Sequence, residues 1–434
     1  MPKAFTTKEL ALILTLTVGG LMIAISSGLS LTLGIIPGFL SLLILARQKQ
    51  IPKRQLFTSC KKGLIRNKDV AWLLVFIGIL LPTWYIAGTV NDLNQLFLTF
   101  VSPAHFFLIA FLVTGIMSFI VGSSIGSLSI VGVPIMATAE QMGISVLITA
   151  GALVSGSFIG DRTSPLSSSF FLLAHAIEVT VKTHFRSVLP TMLITATITA
   201  SLYAGLDLIL NRAGGAEASS GGSLADLSPL ETGLSLVPPF LLLMMILTGQ
   251  SMRRSFMTGI IAGIVLLLFR GESIETWMTA TVGGIASLNG LWQMLPFIVF
   301  ILSVGMFSQM IEDTRLLQPV IESRLTNTTD LRINTRQSIG IATAVSLISP
   351  NQAFPIIVTA RSLLPHWKKH FAPDTLGRVL ADSTVVFAGI VPWSLLAILN
   401  SSILGIPVLH YIPFAFFLLL SPAVTMLWSS GKTT

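Results

Sequence analysis

The sequence predicts an all-α polytopic membrane protein of two inverted repeats, each with five crossings (one of them broken) and one re-entrant hairpin. Three observations carry that expectation. Only 10% of the 434 residues are charged and 53% are hydrophobic, against about a quarter charged in soluble domains. Several uncharged apolar runs approach or exceed the ~18 residues that span a bilayer. The Lys and Arg residues gather in short loops between those runs, at places that give the two halves opposite orientations.

The same numbers exclude much else. The apolar runs leave no soluble domain of any size. The net charge of +8 is spread over short loops, so it reports topology and not nucleic acid. The single cysteine, Cys60, rules out a disulfide within the chain and a cysteine metal cluster. The start, MPKAFTTKELALILTLTVGG, shows no small-residue cleavage site and reads as a retained first helix. No phosphate loop or metal-ligand histidine motif appears, so neither an ATP-driven pump nor an enzyme is expected, and no cofactor.

The first repeat covers 1–210. Residues 9–27 and 29–46 cross first. The loop Arg47 to Asp69 holds eight Lys and Arg residues and is therefore cytoplasmic, as is the N-terminus. Its apolar members suit a helix lying in the interface, or a solvated basic loop. Residues 70–87 cross outward. Residues 104–142 read as a hairpin entering from outside, with its tip at Ser123, Ser124 and Ser127. The crossing 145–181 is too long for one spanning helix and is interrupted by SGSFIGDRTSPLSSS (Ser155 to Ser169). It ends at Lys182, His184 and Arg186, and residues 187–210 return outward.

A Gly-, Ala- and Ser-rich stretch, 211–231, reads as a flexible outer linker. The second repeat, 232–434, has crossings at 233–249, 255–269 and 294–311, with Glu272 to Trp292 as an interfacial helix. Basic loops flank 337–365 at both ends, so this hairpin enters from inside, its tip in SPNQAFP (Ser349 to Pro355). The crossing 374–404 is broken around Asp382 to Pro392. A last crossing, 407–427, returns the C-terminus to the cytoplasm. Trp84, Trp292, Trp367 and Trp428 fall near crossing ends, as an interfacial belt would place them. Inverted halves with unwound mid-membrane segments are the pattern of secondary transporters, whose substrate site lies where the broken segments meet.

That pattern directs attention to the charges in the breaks. Asp161 and Asp382 occupy matching places, where a carboxylate can hold Na⁺ or a proton but not both. Hard cations want carboxylate, hydroxyl and carbonyl oxygens. Ser164, Ser167, Ser383 and Thr384 supply hydroxyls beside the aspartates, and Asn351 and Gln352 supply polar groups at the second hairpin tip. Asp161 could instead pair with Arg162 or cap a half-helix. Arg162 and Arg361 are charge partners for the aspartates or grips for an anion, with snorkelling to the inner surface favoured for Arg361. His175 could relay protons, though a structural role is the commoner fate of a lone helical His.

At GSFIGDRTSPLSSS the chain resembles the NhaC family of sodium/proton antiporters, within the larger ion-transporter superfamily. The matching residues are Gly160, Asp161, Arg162, Ser164, Pro165, Leu166 and Ser167. Further likeness lies in Gly122 to Pro134, in NQAFPIIVTARSLL, and in LADSTVVFAGIVPW with Asp382, Pro392 and Trp393. The chain departs from the family pattern at Ser168 to Phe171, Asn351, Ala381 and Ser394, where several cation-friendly oxygens are replaced. The resemblance implies an elevator-type carrier of the cell (inner) membrane, in contact with lipid, exchanging Na⁺ for H⁺ with Asp161 and Asp382 as the sodium ligands. The alternative is a Na⁺- or H⁺-coupled carrier of a small organic acid or amino acid, and a third reading is a channel or a transport-dead regulator. A homodimer is the assembly to test for.

Overall fold

The computed structural model describes residues 5–100, 103–211, 233–286, 288–314, 316, 329–349 and 351–430. These are helical throughout, apart from turns and one isolated bridge, Ile285 to Leu288. Two antiparallel helices open the chain, α1 (Thr7–Ser26) and α2 (Leu31–Gln48). Thr6 and Glu9 form a capping box that satisfies the first free amides of α1. Then come α3 (Lys53–Ile86), α4 (Thr89–Phe100) and α5 (Phe106–Val121). Gly122, at φ +70°, ends α5 in the left-handed region, and a Cβ there would lie 2.6 Å from the Leu166 carbonyl carbon. Only glycine meets both demands. Beyond it lie the short α6 (Ser124–Ser127), a π-helical turn and α7 (Val133–Gln141).

The next element is α8 (Val146–Thr163), separated from α9 (Ser168–Ala176) by the break 164–167, and α10 (Val181–Leu206) closes this half. After residue 232 come α11 (Val237–Leu247), α12 (Met252–Phe269), α13 (Ile274–Gly283) and α14 (Leu291–Asp313). A second helix–break–helix follows, α15 (Leu331–Ile348) and α16 (Ala353–Trp367). Then α17 (Pro373–Leu380) runs into a π turn at Ala381–Val385 and a 3₁₀ turn at Val386–Gly389. The chain finishes with α18 (Leu395–Leu404), α19 (Val408–Tyr411) and α20 (Phe416–Ser430). By length and apolar composition, seven described helices could cross a membrane, or eight if the pair Leu395–Leu404 and Val408–Phe414, bent by 86°, is one span. The protein is a multi-pass membrane protein. The ten crossings expected exceed that number because broken helices such as α8, with Asp161 and Arg162 inside, are poor spans by composition alone.

Several expectations change. The basic segment Arg47 to Asp69 is not a separate interfacial helix or loop, because α3 is one helix of 34 residues from Lys53 onward. Two of its charges have partners on α14, Arg66 meeting Glu312 at 2.8 Å and Lys62 meeting Asp313 at 3.6 Å, and Ser59 also donates to Asp313. Gly63 lies against Gly305, so the two backbones touch. Helix α10 starts at Val181, so Lys182, His184 and Arg186 lie inside a helix. The first break is also narrower than expected, since α8 stays helical through Thr163. Trp84 and Trp367 are not belt residues. They are buried, donating to the Gly259 carbonyl at 3.1 Å and to Ser338 at 3.0 Å. The expected linker lies outside the described residues beyond Asn211, as does the loop holding Arg315 and Arg324.

Helix α8 seats itself on α5 through small residues, as membrane helices do where backbones must approach. A Cβ on Gly156 would lie 2.5 Å from the Phe111 carbonyl oxygen, and one on Gly160 2.0 Å from that of Ser118. We expect Gly160→Ala to lower the thermal unfolding midpoint, by about 1–3 kcal/mol of overpacking. Gly205→Ala, with nothing within 4 Å of its added Cβ, should leave the midpoint unchanged in the same fluorescence-monitored melt.

Candidate functional site

The four interrupted elements meet, and their polar groups bond to one another. Asp161 is on the last turn of α8 and is 6% exposed. Its carboxylate accepts from the Ser124 hydroxyl at 2.7 Å and the Ser124 amide at 3.3 Å, which ties α8 to the start of α6. Among the described residues no cationic side chain pairs with it. Successive helical residues point about 100° apart, and Arg162 accordingly turns the other way.

Arg162 is 1% exposed and reaches across to the second break. Its Nε donates to Asp382 Oδ1 at 2.5 Å and its Nη2 to Oδ2 at 2.9 Å, a two-pronged pair. Nη2 also donates to Thr191 at 2.7 Å, and Nη1 to the Val188 carbonyl and to Thr163, both at 3.3 Å. Thr425 on α20 donates to Asp382 Oδ2. Of the alternatives left open for Arg162, the pair with Asp382 is the one formed. Asp382 and Arg162 therefore neutralise each other in the interior, while Asp161 has hydroxyl and amide partners alone.

The remaining candidates divide clearly. Ser164 donates to the Phe119 carbonyl at 2.6 Å, and Ser167 donates to the Asp161 carbonyl at 3.1 Å and caps α9. Ser127 donates to the Ser124 carbonyl at 2.9 Å, and Ser123 caps α6. These four brace the first break and tip. On the second side, Gln352 accepts from Ser169 and donates to the Val385 carbonyl at 2.9 Å, joining the start of α16 to α9 and to the second break. Asn351 accepts from the Phe354 amide at 2.9 Å, capping the start of α16. Ser383 and Thr384 donate back to the Val379 and Leu380 carbonyls at 2.7 and 2.6 Å. Arg361 is exposed on α16.

Sequence reasoning missed Thr191 and Thr425, which hold the pair from distant helices with no local signal. It also missed Arg378, although its spacing of four residues before Asp382 places both on one helix face. Among the described residues no group of three or more His, Cys, Asp or Glu could hold a metal ion. A sodium ion at Asp161 would therefore have to be held by one carboxylate with hydroxyl and carbonyl oxygens.

Because the Arg162–Asp382 pair is buried, Arg162→Gln should destabilise the fold by about 3–5 kcal/mol by leaving Asp382 unpaired. Asp382→Asn added to it should recover a large part of the loss. Thermal unfolding of the purified variants in detergent checks this, and a double variant no better than the single one contradicts it.

The sequence profile of the Na+/H+ antiporter family matches residues 70–206 and 227–429. The Na(+)/H(+) antiporter NhaC of Alkalihalophilus pseudofirmus is 28% identical over 382 residues, 82% of this chain and 80% of that protein. The Malate-2H(+)/Na(+)-lactate antiporter of Bacillus subtilis is 26% identical, covering 81% and 79%. The Na(+)/H(+) antiporter NhaC of Bacillus subtilis is 25% identical over 419 residues, covering 90% and 91%. The family profile spans both halves and both breaks, and the chain belongs to the Na+/H+ antiporter family as a divergent NhaC-type member.

Proposed function

We propose that this secondary transporter exchanges Na⁺ for H⁺, with Asp161 taking the two ions in turn. One observation carries the reading. The Asp161 carboxylate is buried, bonded to Ser124 and, among the described residues, has no cationic partner, whereas Asp382 is already neutralised by Arg162. A carboxylate removed from water without a counter-charge needs a proton or a cation. Sodium would find the Asp161 carboxylate and the Ser124 hydroxyl together, with Ser123, Ser127, Ser164 and Ser167 as the nearby oxygen-bearing shell. A proton on Asp161 would replace the ion, because one carboxylate cannot serve both. In this assignment Asp382 acts as the fixed partner of Arg162, and Asn351, Gln352, Ser383 and Thr384 hold the second break in place.

The mechanism we propose is of the elevator type. The hairpins 104–142 and 337–365, with the broken crossings 145–181 and 374–404, move as one body, supported by the Ser124–Asp161, Arg162–Asp382 and Ser169–Gln352 bonds between them. Helices α1–α3 and α11–α14 form the stationary part. In this reading the halves 1–210 and 232–434 lie inverted in the cell membrane with both termini in the cytoplasm, which the distribution of Lys and Arg along the sequence supports. A second reading, coupled carriage of a small organic acid or amino acid, is favoured by the relative named as a malate/lactate antiporter.

Proteoliposomes with an imposed pH gradient separate the two. Added Na⁺ should collapse the gradient, and Asp161→Asn should abolish the response, while Ser124→Ala should reduce it several-fold. Uptake of solute with no response to Na⁺, K⁺ or Li⁺ would select the second reading, and normal Na⁺ response by Asp161→Asn would remove Asp161 from the site.

A further inference from the structure

Along α10 the buried and exposed residues form two separate stripes. His184, Val188, Thr191, Thr195 and Thr199 are buried, whereas Lys182, Arg186, Leu193 and Thr197 are exposed. At 100° per residue the exposed four lie within an arc of about 60°, and the burial pattern carries that face through Pro190. The face changes character along its length. Two cations stand near the start of the helix, and mainly apolar side chains follow beyond Pro190.

The apolar part is one wall of a groove. Helices α5, α8 and α10 bound a cavity of about 500 Å³, whose lining includes Phe119 of α5, Ile159 of α8 and Leu193 and Ala200 of α10. Of the described side chains that line it, only that of Thr197 is polar. Ile116 and Leu193, also in the lining, are more than half exposed, so the groove opens outward. In a chain that spans a membrane, such an opening faces the lipid tails.

The basic end is uncommitted. Among the described residues neither Lys182 nor Arg186 forms an ion pair. Glu178, the acid nearest to them in sequence, is taken by Lys368 at 2.5 Å. Arg186 and Ala200 are 14 residues apart, about 21 Å at 1.5 Å per residue. One leaflet with its headgroups is about 20–22 Å thick. The two cations and the far end of the groove are thus spaced as the two ends of a single lipid molecule.

We propose that this groove seats an acyl chain of an anionic phospholipid, with the lipid phosphate at Lys182 and Arg186. The concave apolar wall holds the chain, and charge complementarity selects the headgroup. Ile159 stands two residues before Asp161 on α8, so the bound chain touches the end of the helix that carries the buried carboxylate. Binding here involves no ion exchange at Asp161.

The test is native mass spectrometry and thermal unfolding of the full chain, delipidated in detergent, with dioleoyl phosphatidylglycerol or dioleoyl phosphatidylcholine added. Phosphatidylglycerol should bind saturably and raise the unfolding midpoint, and phosphatidylcholine should bind about tenfold more weakly. The double variant Lys182→Gln, Arg186→Gln, altered only at exposed positions, should bring phosphatidylglycerol down to the phosphatidylcholine level. Thr197→Trp, which fills the groove from an exposed position, should weaken both lipids several-fold. Glycerol phosphate, the headgroup without its chains, should not compete. Competition by glycerol phosphate at lipid concentrations would make this a simple anion site and overturn the proposal. Equal binding of the two lipids overturns the anionic assignment. Undiminished binding by the double variant overturns the headgroup position, and undiminished binding by Thr197→Trp overturns the groove.

Discussion

Everything in the middle of this molecule depends on a guanidinium that cannot lose its proton and has no water to face. Arg162 must be neutralised inside the protein, and Asp382, on the other half of the chain, does so through two prongs. Such a pair is not a large source of net stability, because desolvating both groups offsets most of the attraction. Its value lies in position. Two segments 220 residues apart are held to one register, since any slip would leave two unpaired charges in the interior. Thr191 and Thr425 extend the same constraint to α10 and α20.

Once that pair forms, the roles of the two aspartates follow. They look equivalent along the chain, each in an interrupted helix with hydroxyl residues close by. Their surroundings differ because Arg162 leaves α8 about 100° round the helix from Asp161. Of the two aspartates in the breaks, Asp161 is then the one without a counter-ion among the described residues, its carboxylate held by Ser124 on α6. Most of the serines around it are spent on backbone carbonyls or on helix caps, which is what a broken helix in apolar surroundings demands. Polarity at a break is thus largely structural, and the chemistry rests on the few groups left over.

That the helices break close to Asp161 and at Asp382, and that residues beside the two breaks meet, is legible in the sequence. Proline, glycine and charge inside an apolar run free backbone groups that lipid cannot satisfy, so they mark where a helix must break against protein. Two things are not legible. One is continuity: α3 reads as loop then crossing, because its basic first half finds its partners, Glu312 and Asp313, about 250 residues later. The other is pairing. Nothing local says that Arg162 joins Asp382 and not its neighbour Asp161, or that Arg378 forms no ion pair among the described residues though four residues from a carboxylate. Those outcomes are settled by which helices touch, a long-range property that spacing cannot supply. The tryptophans mislead for the same reason, Trp84 and Trp367 being packed inside.

The join between α3 and α14 has a character opposite to that of the central pair. Lys62–Asp313 and Arg66–Glu312 lie between partly exposed side chains, within reach of dissolved ions whose screening length is about 8 Å at physiological salt. The Arg162–Asp382 pair is sealed from that influence. The protein therefore has one fastening whose grip loosens as the ionic strength of the adjoining water rises and another that is indifferent to it. In a protein whose cargo is proposed to be salt, the outer frame thus meets the changing concentration while the centre keeps its geometry.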